Sequence, residues 1–221
     1  MSKKNGCLSS YAKKIVLSAL NLEQKNVLKT IKDNQVVFLH GPPGTGKTFL
    51  ATVMALQYVM AGKYKKLILT RPCVEAVGET LGFLPGSSND KIAPYLMPIF
   101  DTIAEFLPKQ QITDMIGDGV ISTIPLAFHR GITFKDAIVI ADEFQNTVPK
   151  QMKMFLTRIG RDCKVIVTGD LGQSDISGKN GLQDAIERLV GIEGIAIVGL
   201  TEECIVRSQI VKNIHERYKD L

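Results

Sequence analysis

The stretch GPPGTGKT at residues 41–48 combines residue types and a spacing that suit phosphate binding. It fits the pattern G-x-x-x-x-G-K-[ST] and lies between an apolar run and a helical pattern, the context that a P-loop requires. Its glycines let the backbone turn so that successive N–H groups face phosphate oxygens, and the next helix adds its N-terminal partial charge. We predict a nucleotide site that uses Gly41, Pro42, Pro43, Gly44, Thr45, Gly46, Lys47 and Thr48.

A pair of acids follows a second apolar run, AIVIA at 137–141. Thr48 and Asp142 are predicted to hold Mg²⁺, while Lys47 neutralises the β and γ phosphates of ATP. Glu143 is then placed to orient and polarise an attacking water. The alternative is an acidic pair at the surface, which predicts exposed carboxylates. An acid pair of this kind indicates hydrolysis more than phosphoryl transfer to another acceptor.

A third polar group stands in CKVIVTGDLGQSDI, where a buried strand would leave the sheet. Asp170 and Gln173 come just after the strand, at the edge where parallel sheets bind ligands. The Gln173 amide could contact both a γ-phosphate oxygen and the attacking water. A local explanation, in which Asp170 and Gly172 form a loop and Gln173 caps a helix, stays open from these residues alone.

Six apolar, largely β-branched runs must position these residues. Continuous apolar strands separated by helical segments are typical of a parallel sheet covered on both faces. The predicted strands are residues 36–40, 66–70, 120–124, 137–141, 164–168 and 195–200. The fold class is therefore α/β, with a P-loop and a mainly parallel sheet that has helices on both faces.

The segment after the P-loop, TFLATVMALQYVMAG, predicts a helix that ends near Gly62. One face of this helix carries Leu50, Val53, Met54 and Tyr58. No repeat, low-complexity linker or composition break divides the chain. We predict an N-terminal lead-in at 1–20 and one domain at 21–221.

The composition is that of a soluble globular protein, with 45% hydrophobic and 22% charged residues. The net charge of +5 permits a polyanionic partner without requiring one. The cysteines are far apart and form no C-x-x-C pair, which disfavours zinc, and Cys163 is predicted to be a packed free thiol. No early apolar run is long enough for a membrane span, so we expect a cytoplasmic protein.

Four segments together resemble the PhoH-like family of ATPases, which are related to the motor cores of superfamily-one helicases. They are GPPGTGKT, LTRPCVEAVGETLGFLPGSSNDKIAPYLMPIFD, ADEFQNTVPKQMKMFLTRIG and VTGDLGQSDI. The resemblance runs from about Leu22 to about Arg217. It implies a single RecA-like domain with Mg²⁺-dependent ATPase activity.

The resemblance implies that Gln24 hydrogen-bonds the edge of adenine. A local alternative is a capping box, because Asn21 would be an N-cap and Gln24 stands three residues later. The resemblance also makes Arg71 a candidate for contact with a nucleic-acid backbone, against a salt bridge at the strand end. His129 and Arg130 correspond to a family segment that could touch nucleic acid or a neighbouring subunit.

Arg207 lies in CIVRSQIVKNI, which matches a family segment usually written Val-Arg-His-Pro, although Ser208 and Gln209 replace the last two residues. It is the candidate arginine finger. Only residues 201–221 follow Leu200, so Arg207 serves its own site or that of a neighbouring subunit. The second option implies a head-to-tail assembly, and the resemblance favours a ring-shaped hexamer.

The first functional hypothesis is an ATP hydrolase of helicase-like type that single-stranded RNA or DNA stimulates. The alternative is an ATP-dependent switch or assembly protein that acts on a protein partner. A small-molecule or nucleotide kinase ranks last, because the acid pair and Gln173 favour water as the acceptor.

Overall fold

A computed structural model describes residues 21–72 and 93–201, together with Cys204 and Arg217. Within this part of the chain, six parallel strands form one sheet in the order β3-β2-β4-β5-β1-β6. The strands are β1 (Val36–His40), β2 (Lys66–Thr70), β3 (Ile121–Thr123), β4 (Ala137–Ala141), β5 (Cys163–Gly169) and β6 (Ile195–Gly199). All six predicted strands are present; β3, β5 and β6 differ from their predicted bounds, by one residue at each end that moves.

The strand order decides which loops meet. β5 lies between β4 and β1, with Ala137 opposite Cys163 in one pair and Val36 opposite Val165 in the other. Because all strands run the same way, their carboxyl ends share one edge of the sheet. The loops that follow β4, β5 and β1 therefore lie side by side at that edge.

Helices cover both faces of the sheet. They are α1 (Leu22–Asp33), α2 (Lys47–Met60), α3 (Met97–Ala104), α4 (Lys109–Gly117), α5 (Pro149–Leu156) and α6 (Gly181–Leu189). One face packs against α1 to α4 in a cluster that includes Ile31, Leu50 and Ile140. The other packs against α5 and α6 around Phe38, Phe155 and Leu182. The predicted α/β architecture with helices on both faces is confirmed.

Helix α2 is buried on more sides than its predicted apolar face. Thr52, Ala55 and Leu56 are fully buried beside Leu50 and Val53. The reason is its position, because α2 packs on β4 and β5 while α1 and α3 flank it. The helix that carries the P-loop threonine is therefore held by the core on several sides.

The amino end of β5, opposite the predicted nucleotide site, contains Lys164, whose burial the apolar pattern did not predict. The Lys164 ammonium donates to the backbone carbonyls of Ile31 and Asn34 at the end of α1. Burial lowers the pKa of Lys164 to about 8, against an ordinary value of 10.5. The lysine therefore satisfies helix carbonyls that would otherwise lack a partner.

Cys163 next to it is a buried free thiol, as predicted, and burial raises its pKa to about 12. Among the described residues no helix is both long and apolar enough to cross a bilayer. The predicted lead-in at 1–20 and the candidate finger Arg207 lie outside the described residues.

Candidate nucleotide site

The P-loop begins with a glycine that no other residue could replace. Gly41 has φ +145°, and a Cβ added there would stand 2.3 Å from the carbonyl oxygen of Leu200. Such a contact is far inside van der Waals distance, so the backbone after β6 fits against the loop only because Gly41 has no side chain. The P-loop therefore packs directly on the chain that leaves the edge strand.

The loop ends in Gly46, which adopts a left-handed conformation (φ 86°) as the N-cap of α2. The first N–H groups of α2 thus face the loop, where they can bind phosphate oxygens. The Lys47 ammonium donates to the carbonyls of Gly41 and Pro42 at 2.7 and 2.8 Å. The cation is held over the turn in which the β and γ phosphates are predicted to bind.

Thr48 and Asp142 meet directly, although they are 94 residues apart. The Thr48 hydroxyl donates to Asp142 Oδ1 at 2.8 Å, and the Thr168 hydroxyl donates to the same oxygen at 2.5 Å. The Asp142 side chain is only 4% exposed, so the alternative of a surface carboxylate is wrong for this residue. Two strand ends and the start of α2 thus converge on one buried carboxylate.

This donor set fits Mg²⁺. Hydroxyl and carboxylate oxygens are hard ligands, and Mg²⁺ in nucleotide sites is held by one or two protein groups plus phosphate oxygens. The described residues contain no group of three or more His, Cys, Asp or Glu side chains that could hold a metal by themselves. Thr48 and Asp142 would therefore hold the ion together with the nucleotide.

Arg71 stands next to the same carboxylate. Its guanidinium lies 3.7 Å from Asp142 Oδ2 and donates to the Tyr95 carbonyl at 2.7 Å. The side chain also stacks near the Tyr95 ring, with 5.7 Å between guanidinium carbon and ring centroid. The ion pair at the strand end, left open by the sequence, is thus present; contact of Arg71 with nucleic acid stays a prediction.

Glu143 follows Asp142 in a left-handed backbone conformation (φ 56°), which is unusual for a residue with a side chain. The turn is closed by the Asn146 N–H, which donates to the Glu143 carbonyl at 3.1 Å. The carboxylate is half-buried, and Oε2 accepts a hydrogen bond from Gln145 Nε2 at 2.5 Å. Backbone and side chain together fix where this acid points.

The loop after β5 lines a pocket beside the P-loop. The pocket has a volume of about 310 Å³ and is bounded on one side by residues 40–43 and on the other by 170–173. Asp170 accepts from the Gly172 N–H at 2.9 Å, so the local Asp–Gly loop exists as well. Gln173 does not cap the following helix α6, because Asn180 does so. Contact of Asp170 and Gln173 with the γ-phosphate remains a prediction.

Gln24 faces the P-loop from α1. Asn21 caps the helix by accepting from the Gln24 N–H at 2.8 Å, which is half of the capping box. The Gln24 side chain, however, donates to the Thr45 carbonyl at 3.4 Å. Its Oε1 is buried and has no hydrogen-bond partner in the described part of the chain.

His40 closes the P-loop side of the pocket at the end of β1. Burial lowers the pKa of His40, and the nearby Lys47 charge lowers it further, while Asp170 acts in the opposite direction. A Cβ added at Gly199 would stand 3.0 Å from His40 Cε1, so the ring packs against the Gly199 backbone.

His129 is fully buried, which contradicts its predicted contact with nucleic acid or a neighbouring subunit. Its ring packs between Phe134 and Phe155, with centroids 5.3 and 5.7 Å away. Nε2 lies 3.2 Å from the Ile124 carbonyl, while Nδ1 has no partner in the structure of residues 93–201. Burial lowers the pKa of His129. Arg130 beside it is exposed.

The chain beyond β6 is fastened to the start of α1. The Cys204 thiol donates to Glu23 Oε2 at 2.7 Å, and the Thr201 hydroxyl donates to Glu23 Oε1 at 3.1 Å. These hydrogen bonds lower the pKa of Glu23. The segment that leads toward Arg207 is thus anchored one residue from Gln24.

Sequence reasoning missed Thr168, Gln145 and Asn146. Thr168 is the last residue of a predicted strand, whereas Gln145 and Asn146 lie four and five residues after another, and all three are buried. For Thr168 the available signal was a hydroxyl at the end of an apolar run; its partner Asp142 follows a different strand. Gln145 and Asn146 bond to the loop at 170–175, which no local pattern places beside them.

The chain matches the family described as PhoH-like protein over residues 16–219. A PhoH-like protein of Synechocystis sp. is 45% identical over 206 residues, 92% of this chain and 62% of that protein. A PhoH-like protein of Bacillus subtilis is 47% identical over 197 residues, 88% of this chain and 61% of that one. Protein PhoH of Escherichia coli is 38% identical over 204 residues, 90% of this chain and 57% of that protein.

The chain thus spans about three fifths of the length of these relatives. Among solved structures, the Pif1 helicase from Candida albicans aligns with a TM-score of 0.43 and 18% identity, covering 83% of this chain and 39% of that one. A likeness of this size carries no argument about function. On the family match across nearly all its length, the chain belongs to the PhoH-like protein family.

Proposed function

We propose that this P-loop nucleotide-hydrolysing protein uses ATP and Mg²⁺, and that single-stranded RNA or DNA stimulates its turnover. The observation that supports hydrolysis best is the hydrogen bond from Thr48 to Asp142. It joins the phosphate loop to the acid pair, so that the predicted metal ligands and the predicted base, Glu143, stand in one site.

In the proposed reaction, a water oxygen attacks the γ-phosphorus while Glu143 accepts a proton from that water. The bond from the γ-phosphorus to the bridging oxygen breaks, and the products are ADP and inorganic phosphate. Lys47 and the first N–H groups of α2 offset the phosphate charge. Thr48 and Asp142 would hold Mg²⁺, which would neutralise further phosphate charge.

The base preference for adenine rests on Gln24. Its Oε1 is a buried acceptor without a donor among residues 21–72 and 93–201. The 6-amino group of adenine is a donor, whereas guanine carries an acceptor at that position. A buried acceptor left unpaired costs about 1–3 kcal/mol, and ATP would remove that cost.

Arg207 is proposed as the arginine finger, supplied by a neighbouring subunit in a ring. Such a residue is worth about 10³ to 10⁵ in turnover. An ATP-loaded protein that sediments as a monomer and still hydrolyses ATP fast would exclude this arrangement.

One observation favours the second candidate, an ATP-dependent switch that acts on a protein partner. Arg71 is engaged with Asp142 and Tyr95, and His129 is buried. Of the three side chains predicted to contact nucleic acid, Arg71 is partly exposed and already bonded within the protein, His129 is buried, and Arg130 is exposed.

The deciding experiment is ATP turnover by the purified protein with and without single-stranded RNA or DNA. A Lys47→Ala variant serves as the control for contaminating ATPases. Stimulation that disappears in this variant establishes a nucleic-acid-stimulated ATPase. Turnover that no nucleic acid changes rejects that proposal in favour of the switch, and absence of turnover rejects both the hydrolase and the switch.

The role of Gln173 is tested in the same assay. Gln173→Ala removes an exposed side chain from the pocket, so ATP affinity should be kept while turnover falls. Loss of ATP binding would show that Gln173 has been given the wrong role.

A further inference from the structure

Gln145 is the side chain that joins the acid pair to the loop after β5. The Gln145 residue is 2% exposed, and its side chain lies between the turn at 143–146 and the loop at 170–175. Its Nε2 donates to Glu143 Oε2 at 2.5 Å, and its Oε1 accepts from the Asp170 N–H at 3.1 Å. One amide thus holds the predicted base with one end and the start of the predicted phosphate-sensing loop with the other.

The orientation of this amide is fixed by its partners. A carboxylate can only accept a hydrogen bond, and a backbone N–H can only donate one. If the amide were rotated by 180°, its oxygen would face the Glu143 carboxylate and its NH₂ group would face the Asp170 N–H. Both contacts would become repulsive, so Gln145 has one favourable orientation in this position.

The packing around the amide is tight. A Cβ added at Gly169 would stand 2.7 Å from Gln145 Oε1 and 2.5 Å from Leu182 Cδ2. The residue before Asp170 therefore needs to be glycine for the amide to reach the Asp170 N–H. A buried polar group held in this way has little freedom to reorient.

Further hydrogen bonds fasten the same two segments. The Asn146 and Asp175 residues bond reciprocally, because Asn146 Nδ2 donates to Asp175 Oδ2 at 2.8 Å and the Asp175 N–H donates to Asn146 Oδ1 at 2.9 Å. The Ser174 hydroxyl donates to the Gln145 carbonyl at 3.2 Å. The loop at 170–175 and the turn at 143–146 are thus connected at both ends.

We infer that Gln145 is a positioning residue that makes the Glu143 carboxylate and the 170–175 loop move as one unit. Contact of Gln173 with the γ-phosphate and orientation of Glu143 toward the attacking water then occur together. The inference rests on the proposed hydrolysis and adds a residue that acts through Glu143 and the 170–175 loop. Its function is to couple detection of the γ-phosphate to the direction in which the base points.

The first test replaces Gln145 by methionine, which keeps the length of the side chain and removes both hydrogen bonds. A misplaced base costs up to about 100-fold in rate, so we expect kcat to fall by about 10- to 100-fold with KM for ATP unchanged. Gln151→Met is the matched control, because Gln151 is exposed and only accepts from the Val148 N–H at the start of α5. Equal kcat in the two variants, or a rise in KM that accounts for the whole loss, would overturn the inference.

The second test asks whether Gln145 and Gln173 act together. If the effect of Gln173 on Glu143 acts through the Gln145 amide, the double variant Gln145→Met/Gln173→Ala should lose no more kcat than the worse single variant. Losses that multiply would show two independent residues and refute the coupling.

A third measurement separates this inference from the proposed hydrolysis. Hydrogen exchange at the Asp170 amide, whose N–H bonds to Gln145, should become faster in Gln145→Met than in Gln151→Met. This readout needs no turnover. Wild-type protein without ATPase activity would reject the proposed function, whereas unchanged exchange at Asp170 would reject the positioning role of Gln145.

Discussion

Replacing Thr168 by valine should weaken Mg²⁺ binding without touching either predicted metal ligand. Valine has the same branched shape as threonine but cannot donate to Asp142 Oδ1, which Thr168 reaches at 2.5 Å. Thr168 is 1% exposed, so no bulk water can take the place of the hydroxyl. Asp142 Oδ1 would keep the hydrogen bond from Thr48 and lose the one from Thr168, so the carboxylate would be held less firmly.

The size of the effect follows from the type of hydrogen bond. A bond to a charged acceptor is worth about 1.5–3 kcal/mol, and each 1.4 kcal/mol is about tenfold in affinity. Loss of a group that orients a metal ligand costs about 10- to 100-fold in metal affinity. Both routes lead us to expect that Thr168→Val raises the Mg²⁺ concentration for half-maximal ATP turnover by about 10- to 100-fold.

The assay is a Mg²⁺ titration of turnover at saturating ATP, with calorimetric binding of Mg²⁺·ADP as a readout that needs no catalysis. Thr102→Val is the matched control, because Thr102 is also buried but donates to the neutral carbonyl of Pro98, on α3. The control should lose stability and keep the wild-type Mg²⁺ midpoint. If both variants have the same midpoint, the Thr168 hydroxyl does not support the metal ligand and our reading of the site is wrong.

Three further substitutions test the surroundings of the site. Gly41→Ala forces a Cβ into the Leu200 carbonyl at 2.3 Å, so nucleotide binding should be lost and the melting temperature should fall. The pKa of His129 is lowered in the folded protein, so the unfolded chain binds more protons at this residue and the free energy of unfolding falls as pH drops below about 6.5. His129→Phe should reduce the slope of the free energy of unfolding against pH, measured in denaturant titrations, by up to about 1.4 kcal/mol per pH unit. The pKa of Lys164 is about 8 in the folded protein and 10.5 in the unfolded chain, so the unfolded chain binds more protons between these pH values and stability should rise with pH in that range. Lys164→Met should abolish this rise. An unchanged dependence of stability on pH would contradict the lowered pKa of Lys164.

The strands could be predicted because a parallel sheet buried on both faces needs unbroken apolar runs, and such runs are visible in one sequence. The chemistry of the P-loop could be predicted for a similar reason, since its glycines and Lys47 act within eight consecutive residues. Asp142 was found because it directly follows an apolar run. In each of these cases the physical cause lies within a short stretch of the chain.

The roles of Thr168 and Gln145 and the burial of His129 could not be predicted, because they depend on contacts between elements whose order in the sheet the sequence does not reveal. Thr168 supports Asp142 across 26 residues, and Gln145 reaches Asp170 across 25, because β4 and β5 are neighbours in the sheet. His129 was expected at the surface, but its burial depends on Phe155, which a different helix supplies. Local patterns contain no information about such pairings.

The anchoring of Cys204 on Glu23 limits how far Arg207 can reach. Arg207 is the third residue after Cys204, and an extended chain covers at most about 3.6 Å per residue, so covalent geometry alone limits the distance between the two Cα atoms to about 11 Å. Any phosphate that Arg207 touches must therefore lie inside that radius plus the length of one arginine side chain. In an assembly where Arg207 serves a neighbouring subunit, this short connection would bring the neighbour's P-loop against the edge formed by the start of α1 and the end of β6.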